Sequence, residues 1–240
     1  MTRSPWPLFA TLLLILSPAT QATQATQPEL MPYLPQRTLE LAEYLPPPPP
    51  AGTAEDRLDL DTVLLVQRQR TPQQVAQAKR DDHLDDAAFP FAQGILGAEF
   101  TVERHPQTAH FFRRVLVDLE QTLMPAKHHF ARPRPYELSQ EVKPILPPPM
   151  GESYPSGHTM DAYLTAILLA KMLPEHRAEL FARAAAAAQS RVVAGVHYPT
   201  DLEGGRISAA VLANELLKNP GALRDFEHAR REVRSNLALD

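Results

Sequence analysis

Three short stretches hold the residues that could do chemistry. The first is "KHHFARPRP", in which Lys127 is followed after six residues by Arg134 and Pro135. The second is "PSGH", with Ser156, Gly157 and His158 in an unbroken row ahead of the apolar run "TMDAYLTAILLAKML". The third is "SRVVAGVHYPTD", which places Arg191 six residues before His197 and Asp201 four residues after it. A helix beginning near His158 would expose unpartnered backbone N–H groups at the positive end of its dipole, and the small residues Ser156 and Gly157 let an anion come close. That makes "PSGH" an anion cradle. Taken singly, each stretch also has an ordinary reading: Lys127 and Arg134 as solvated surface charges, "PSGH" as a loop and helix cap, and Arg191 with Asp201 as a structural ion pair. Together they are hard to obtain by chance, since the four-residue string alone arises on the order of once in several hundred chains of this length.

The elements that must position these residues read as helices. From Glu55 onward the pattern is helical: "DLDTVLLVQRQR" is followed by Thr71 and Pro72, a cap and a first-turn proline that open a second helix through "QQVAQAKRDD". In "PQTAHFFRRVLVDLEQTLMPAKHHF" the residues Phe112, Val115, Leu116, Leu119 and Leu123 recur at helical spacing. "EHRAELFARAAAAAQSRVVAG" is rich in helix formers, its alanine run suits close helix packing, and further helices fit Leu202 to Leu217 and Pro220 to Asn236. With no strand alternation and no internal repeat, the expected fold is an all-α, compact helical bundle.

Composition sets the outer bounds. The 240 residues are 44% hydrophobic and 22% charged, which fits one moderate-sized domain with a substantial core. Residues 1–22 have Arg3 in a short basic start, an apolar run from Leu8 to Leu16, and small residues at Ala19 and Ala22, the pattern of a secretory signal peptide. That run is short for a membrane span, and no later segment approaches the roughly 18–20 apolar residues one needs, so a stable insertion after cleavage is not expected; an uncleaved anchor is the alternative. Cleavage after Ala22 removes only the charge of Arg3, taking the net charge from −4 to −5, and no basic excess points to nucleic acid. Residues 23–54 form a polar arm ending in Pro46 to Pro50, a polyproline II stretch that lies over the domain or serves as a spacer. The helical domain is expected over 55–240. Cysteine is absent, which removes thiolate nucleophiles, Fe–S clusters and cysteine zinc sites.

The three stretches resemble the three-part signature of the type 2 phosphatidate phosphatase and vanadium haloperoxidase superfamily. "GESYPSGHT", with "YLPPPPPAG" upstream, is similar in particular to the bacterial class A non-specific acid phosphatases. The resemblance implies a compact helical domain, export to the periplasm, and metal-independent hydrolysis of small phosphate monoesters with no cofactor. It makes Lys127, Arg134 and Arg191 holders of the phosphoryl oxygens, together with Ser156 and the N–H of Gly157. It makes His197 the nucleophile of a phosphohistidine intermediate, Asp201 its orienting partner, and His158 the acid for the leaving group. Transfer of phosphate to an alcohol or nucleoside is a further implied activity, and a homodimer the favoured assembly. Elementary chemistry agrees, because a phosphoryl transition state spreads negative charge that cations and oriented N–H groups stabilise. Histidine, titrating between about pH 5 and 8, suits both nucleophile and acid, and a mildly acid optimum follows.

Two choices remain within the motifs. On an ideal helix Arg134 shares the face of Lys127, whereas Arg132 points well away, so helix phase selects Arg134 as the phosphate ligand. The adjacent His128 and His129 diverge by about 100° on a helix and do not suit one metal ion, and "PSGH" lacks the glycine two residues before serine that a hydrolase nucleophile elbow needs. Three other readings stay open: a lipid phosphatase at a membrane, a vanadate-dependent haloperoxidase, and a phosphate-binding protein without turnover. Binding alone would not need His158, His197 and Asp201 together. One departure from the resembled family is Ala194, where some relatives carry cysteine; another is the proline-rich loop "ELSQEVKPILPPPMGE".

Overall fold

The computed structural model describes residues 30–82, 86, 88–149 and 151–239. The expected signal peptide, residues 1–22, and the first part of the arm, 23–29, lie outside them. Among the described residues the secondary structure is helical, with no strand: α1 (Ala54–Gln69), α2 (Pro72–Arg80), α3 (Ala88–Leu96), α4 (Pro106–Phe130), a single turn α5 (Pro135–Leu138), α6 (Gly157–Met172), α7 (Arg177–Val193), α8 (Pro199–Lys218) and α9 (Pro220–Asn236).

Local chemistry sets most of the helix starts. Thr53 accepts from the N–H of Asp56 ahead of α1, and Thr71 with Gln74 forms a reciprocal capping box ahead of α2, where Pro72 fills the first turn. Asn219 accepts from the N–H groups of Gly221 and Ala222, so α9 begins at Pro220. Helix α3 was not expected from the sequence. Its nine residues include Pro90 and Gly94, which weaken local propensity, and it is held by burying Phe89, Phe91 and Leu96.

α6 is the centre of the molecule. Met160, Leu164, Leu168, Leu169 and Met172 are all buried, around most of its circumference, and it packs chiefly against α7 and α8. Ala184, Ala187 and Ala188 form the buried side of the alanine run on α7. α4 lays Phe111, Phe112, Val115, Leu119 and Leu123 into the same core and packs against α9. The proline-rich arm is part of this core: Leu34, Leu39, Leu41 and Leu45 are buried in it, and the carboxylate of Asp118 accepts the N–H groups of Tyr33 and Leu34, both at 2.8 Å. The hydroxyl of Tyr154 donates to the carbonyl of Pro46 at 2.6 Å, tying the start of the polyproline run to the loop before α6.

α6 and α8 approach closely because α8 carries Gly204 and Gly205. A Cβ on Gly204 would lie 2.6 Å from the Tyr154 ring, and one on Gly205 would lie 2.5 Å from the carbonyl oxygen of Ser156. Only glycine at these two positions lets the second turn of α8 meet Tyr154 and the start of α6.

Candidate active site

His197 and Asp201 are placed by the junction between α7 and α8. Gly195, with φ +75°, ends α7 in the left-handed region, and the N–H groups of Gly195 and Val196 bond back to the carbonyls of Val192 and Arg191. Two residues later comes His197, and Pro199 opens α8. α8 starts three residues before the expected Leu202, so Asp201 sits in its first turn, and its Oδ2 accepts the N–H of Tyr198 at 2.9 Å. The same Oδ2 lies 3.1 Å from His197 Nδ1 and accepts the hydroxyl of Ser153 at 2.6 Å.

On the other side of the imidazole, Arg134 Nη1 is 3.0 Å from His197 Nε2. A guanidinium only donates, so Nε2 carries the lone pair and Nδ1 carries the hydrogen that goes to Asp201. Burial pushes the His197 pKa well below its usual range, with Arg134 adding to the shift and Asp201 opposing it. Burial would raise Asp201, but its hydrogen bond with His197, the Arg132 charge and the Ser153 hydroxyl bring it down to about 2. The pair is thus a neutral imidazole beside an ionised carboxylate.

Around this pair stand the other expected residues. Ser156, fully buried, caps α6 by accepting from Thr159 N–H at 3.4 Å, and its own N–H donates to the carbonyl of Asp201 at 3.0 Å. α6 begins at Gly157, one residue before the expected start, and a Cβ there would meet Leu123 at 2.8 Å. Lys127, in the last turn of α4, donates to the carbonyl of Glu152 at 2.5 Å, and burial followed by the charge of Arg134 brings its pKa down to about 7. Arg191 is fully buried; its Nη2 bonds Asp82 Oδ1 at 3.0 Å, while its Nε and Nη1 have no hydrogen-bond partner among the described groups. Two buried, unpartnered guanidinium N–H groups call for an anion. His158 Nε2 lies 3.2 Å from the carbonyl oxygen of Asp82, and burial together with the Arg191 charge lowers its pKa to about 4.

The helix-phase argument for Arg134 does not apply. α4 stops at Phe130, because Ala131 takes φ +47°, and neither arginine lies on that helix. Arg134 reaches the pocket from an extended backbone. Arg132, expected to point away, is buried behind the pair: its Nη1 donates to Asp201 Oδ1 at 2.8 Å and its Nη2 to Asp59 Oδ2 at 2.8 Å. Asp82, Ser153 and Arg132 touch the site residues, Asp59 holds Arg132, and all four were missed. The doubled Arg-Pro was the one signal that could have flagged Arg132; for the others the partner is brought in from distant sequence.

A family model described as the PAP2 superfamily matches residues 109–224, a span that runs from α4 into α9 and includes every site residue expected from the sequence, Lys127 to Asp201, while Asp59 and Asp82 lie outside it. The chain carries a PAP2 superfamily domain. Curated relatives extend the likeness beyond that domain. An acid phosphatase of Zymomonas mobilis is 29% identical over 79% of this chain and 74% of its own, and a non-specific acid phosphatase of Salmonella typhi is 27% identical over 92% and 91%. Among solved structures, a bacterial vanadium-dependent iodoperoxidase aligns with TM-score 0.57 at 18% identity, covering 75% of this chain and 54% of that longer one. A transmembrane PAP2-type phosphatidylglycerolphosphate phosphatase from Bacillus subtilis aligns with TM-score 0.52 at 21% identity, over 74% and 89%. These two share the helical PAP2 fold. In this chain no helix among the described residues is long and apolar enough to cross a membrane.

Proposed function

We propose that this protein is an acid phosphatase that hydrolyses small phosphate monoesters through a phosphohistidine on His197, without a metal ion. One observation carries the reading. His197 is fixed between Asp201 at Nδ1 and the pocket at Nε2, where the lone pair accepts from Arg134 and would turn to phosphorus once the phosphoryl oxygens take that donor. The relatives named as acid phosphatases cover nearly the whole chain and support the substrate class.

The phosphoryl group would lie among Lys127, Arg134 and Arg191 at the N-terminus of α6, with the unpartnered Nε and Nη1 of Arg191 and the N–H of Gly157 donating to its oxygens. These cations supply the positive charge that a metal ion supplies in other phosphoryl-transfer sites. His197 Nε2 attacks phosphorus, a P–N bond forms, and the ester P–O bond breaks with its electron pair on the leaving oxygen. That oxygen takes a proton from His158. In the empty site His158 is neutral at mild pH, its pKa being about 4, and the charge of a bound phosphate beside it raises its proton affinity. Water then attacks phosphorus, giving its proton to His158, and the P–N electron pair returns to His197. An alcohol in place of that water gives phosphotransfer. Export to the periplasm follows from the signal-peptide pattern of residues 1–22.

The test is phosphate release from p-nitrophenyl phosphate between mildly acid and neutral pH. The expected outcome is activity that survives excess EDTA, rises toward acid, and drops by at least about a thousandfold in His197→Ala. Equal activity in parent and variant would sink the histidine mechanism, and loss with EDTA the metal-free one.

A further inference from the structure

We infer that Arg132, clamped by Asp59 of α1, is a positioning residue that keeps Asp201 ionised and His197 in its Nδ1–H tautomer under acid conditions. This rests on the function proposed above. Arg132 makes no contact with His197, and acts through Asp201. Its guanidinium spans three buried bonds: Nη1 to Asp201 Oδ1 at 2.8 Å and to Thr200 Oγ1 at 2.7 Å, and Nη2 to Asp59 Oδ2 at 2.8 Å. The guanidinium carbon also stands 4.0 Å over the Tyr198 ring. Asp59 in turn accepts from both the N–H and the hydroxyl of Thr200, the second residue of α8. The chain of charges therefore runs from α1 through Arg132 and Asp201 to His197.

Hydrogen-bond counting gives this chain a purpose. Asp201 is fully buried and receives four donors: Arg132 on Oδ1, and Ser153, the Tyr198 N–H and His197 on Oδ2. Only the ionised carboxylate can accept from all four, so protonation would break the set and release His197. An enzyme working in acid meets that hazard directly. A positive charge 2.8 Å from Oδ1 opposes it, and the same charge disfavours protonation of His197.

The other groups facing the pair come from every neighbouring element. They are Asp56 of α1, Lys127 of α4, Arg134 after it, Tyr154 before α6 and Tyr198 beside the pair, with His158, Arg191 and Asp82 across the pocket. Asp56 and Asp59 offset Arg132 in part. Removing Arg132 or removing Asp59 damages one network but changes the charge at Asp201 in opposite directions, which separates electrostatic positioning from packing.

The experiment is ¹⁵N NMR of the imidazole of His197, assigned by its loss in His197→Gln, recorded from pH 7 down into acid. The parent is expected to keep the Nδ1–H tautomer through the acid range. Arg132→Met should lose it at a pH about one unit or more higher, and should lose kcat/KM on p-nitrophenyl phosphate about tenfold more at pH 5 than at pH 7. Arg132→Gln, which keeps hydrogen-bonding groups and drops the charge, takes its place where methionine does not fold. Asp59→Asn should hold the tautomer at least as far into acid as the parent. The inference is overturned if the charge-deleted variants hold the tautomer as long as the parent, or if Asp59→Asn loses it early as they do. The NMR readout needs no turnover. An inactive parent with the expected tautomer order would count against the phosphatase reading alone.

Discussion

At the scale of single residues, the pocket is a concentration of buried positive charge of the kind that suits an anion. Lys127 shows the cost most directly, since burial and Arg134 bring its pKa down to about 7, leaving it about half charged at pH 7. A bound dianion reverses the balance by favouring the charged amine, and acts on His158 in the same direction. Binding should therefore take up protons. Sulfate is a suitable probe because it does not titrate near neutrality. Calorimetry at pH 7 in buffers of different ionisation enthalpy should give uptake of up to about half a proton per sulfate from Lys127, and Lys127→Met should remove that part. Heats that are the same in every buffer would mean that Lys127 is already fully charged in the empty site.

At the scale of elements, the site depends on how closely α8 meets the start of α6, and Gly205 sets that distance. A methyl at Gly205 would stand 2.5 Å from the Ser156 carbonyl oxygen and 2.9 Å from Thr159, so backbone must move. The displaced residue is Ser156, whose N–H is bonded to the carbonyl of Asp201. Gly205→Ala should cost more than about 2 kcal/mol of stability and most of the activity. Gly94→Ala is the matched control, because a Cβ there meets nothing within 4 Å inside α3, and it should gain up to about 1 kcal/mol through helix propensity. Thermal melts of the two variants check both signs. These elements were unevenly legible in the sequence. α9 has the bounds that its cap and first-turn proline indicate, since Asn219 and Pro220 carry the signal locally. α3 was hidden because burial of its aromatic residues overrides Pro90 and Gly94. The three motifs revealed which groups gather in the pocket, but Arg132 was misplaced by assuming that α4 continued past Ala131. Asp59 and Asp82 left no local trace, because their partners lie more than 70 residues away.

At the scale of the whole molecule, the same charges make the empty protein pH-sensitive. His158 has a folded pKa of about 4 against an ordinary 6.5. Between those values the unfolded chain binds a proton that the folded chain refuses, so stability falls as pH falls from about 6.5 to 4, by roughly 3 kcal/mol at most. Asp161 works in the opposite sense in an overlapping window. Burial raises its pKa to about 7 from 3.8, so its contribution is present in acid and is lost as pH rises through that range. The raw stability curve sums the two and hides both. Comparing variants separates them: His158→Gln should flatten the fall below pH 6.5, and Asp161→Asn should gain most over the parent near pH 7 and little near pH 4. Anions then change the balance. A ligand that binds only the folded state at a hundred times its Kd adds about 2.7 kcal/mol, nearly the whole His158 deficit. Saturating sulfate should accordingly raise Tm more at pH 5 than at pH 8, because the protonated forms of Lys127 and His158 bind it better. An equal rise at both pH values would place the bound anion away from these two groups. In the expected case, the anion site that serves catalysis also stabilises the folded chain in acid, where His158 weakens it.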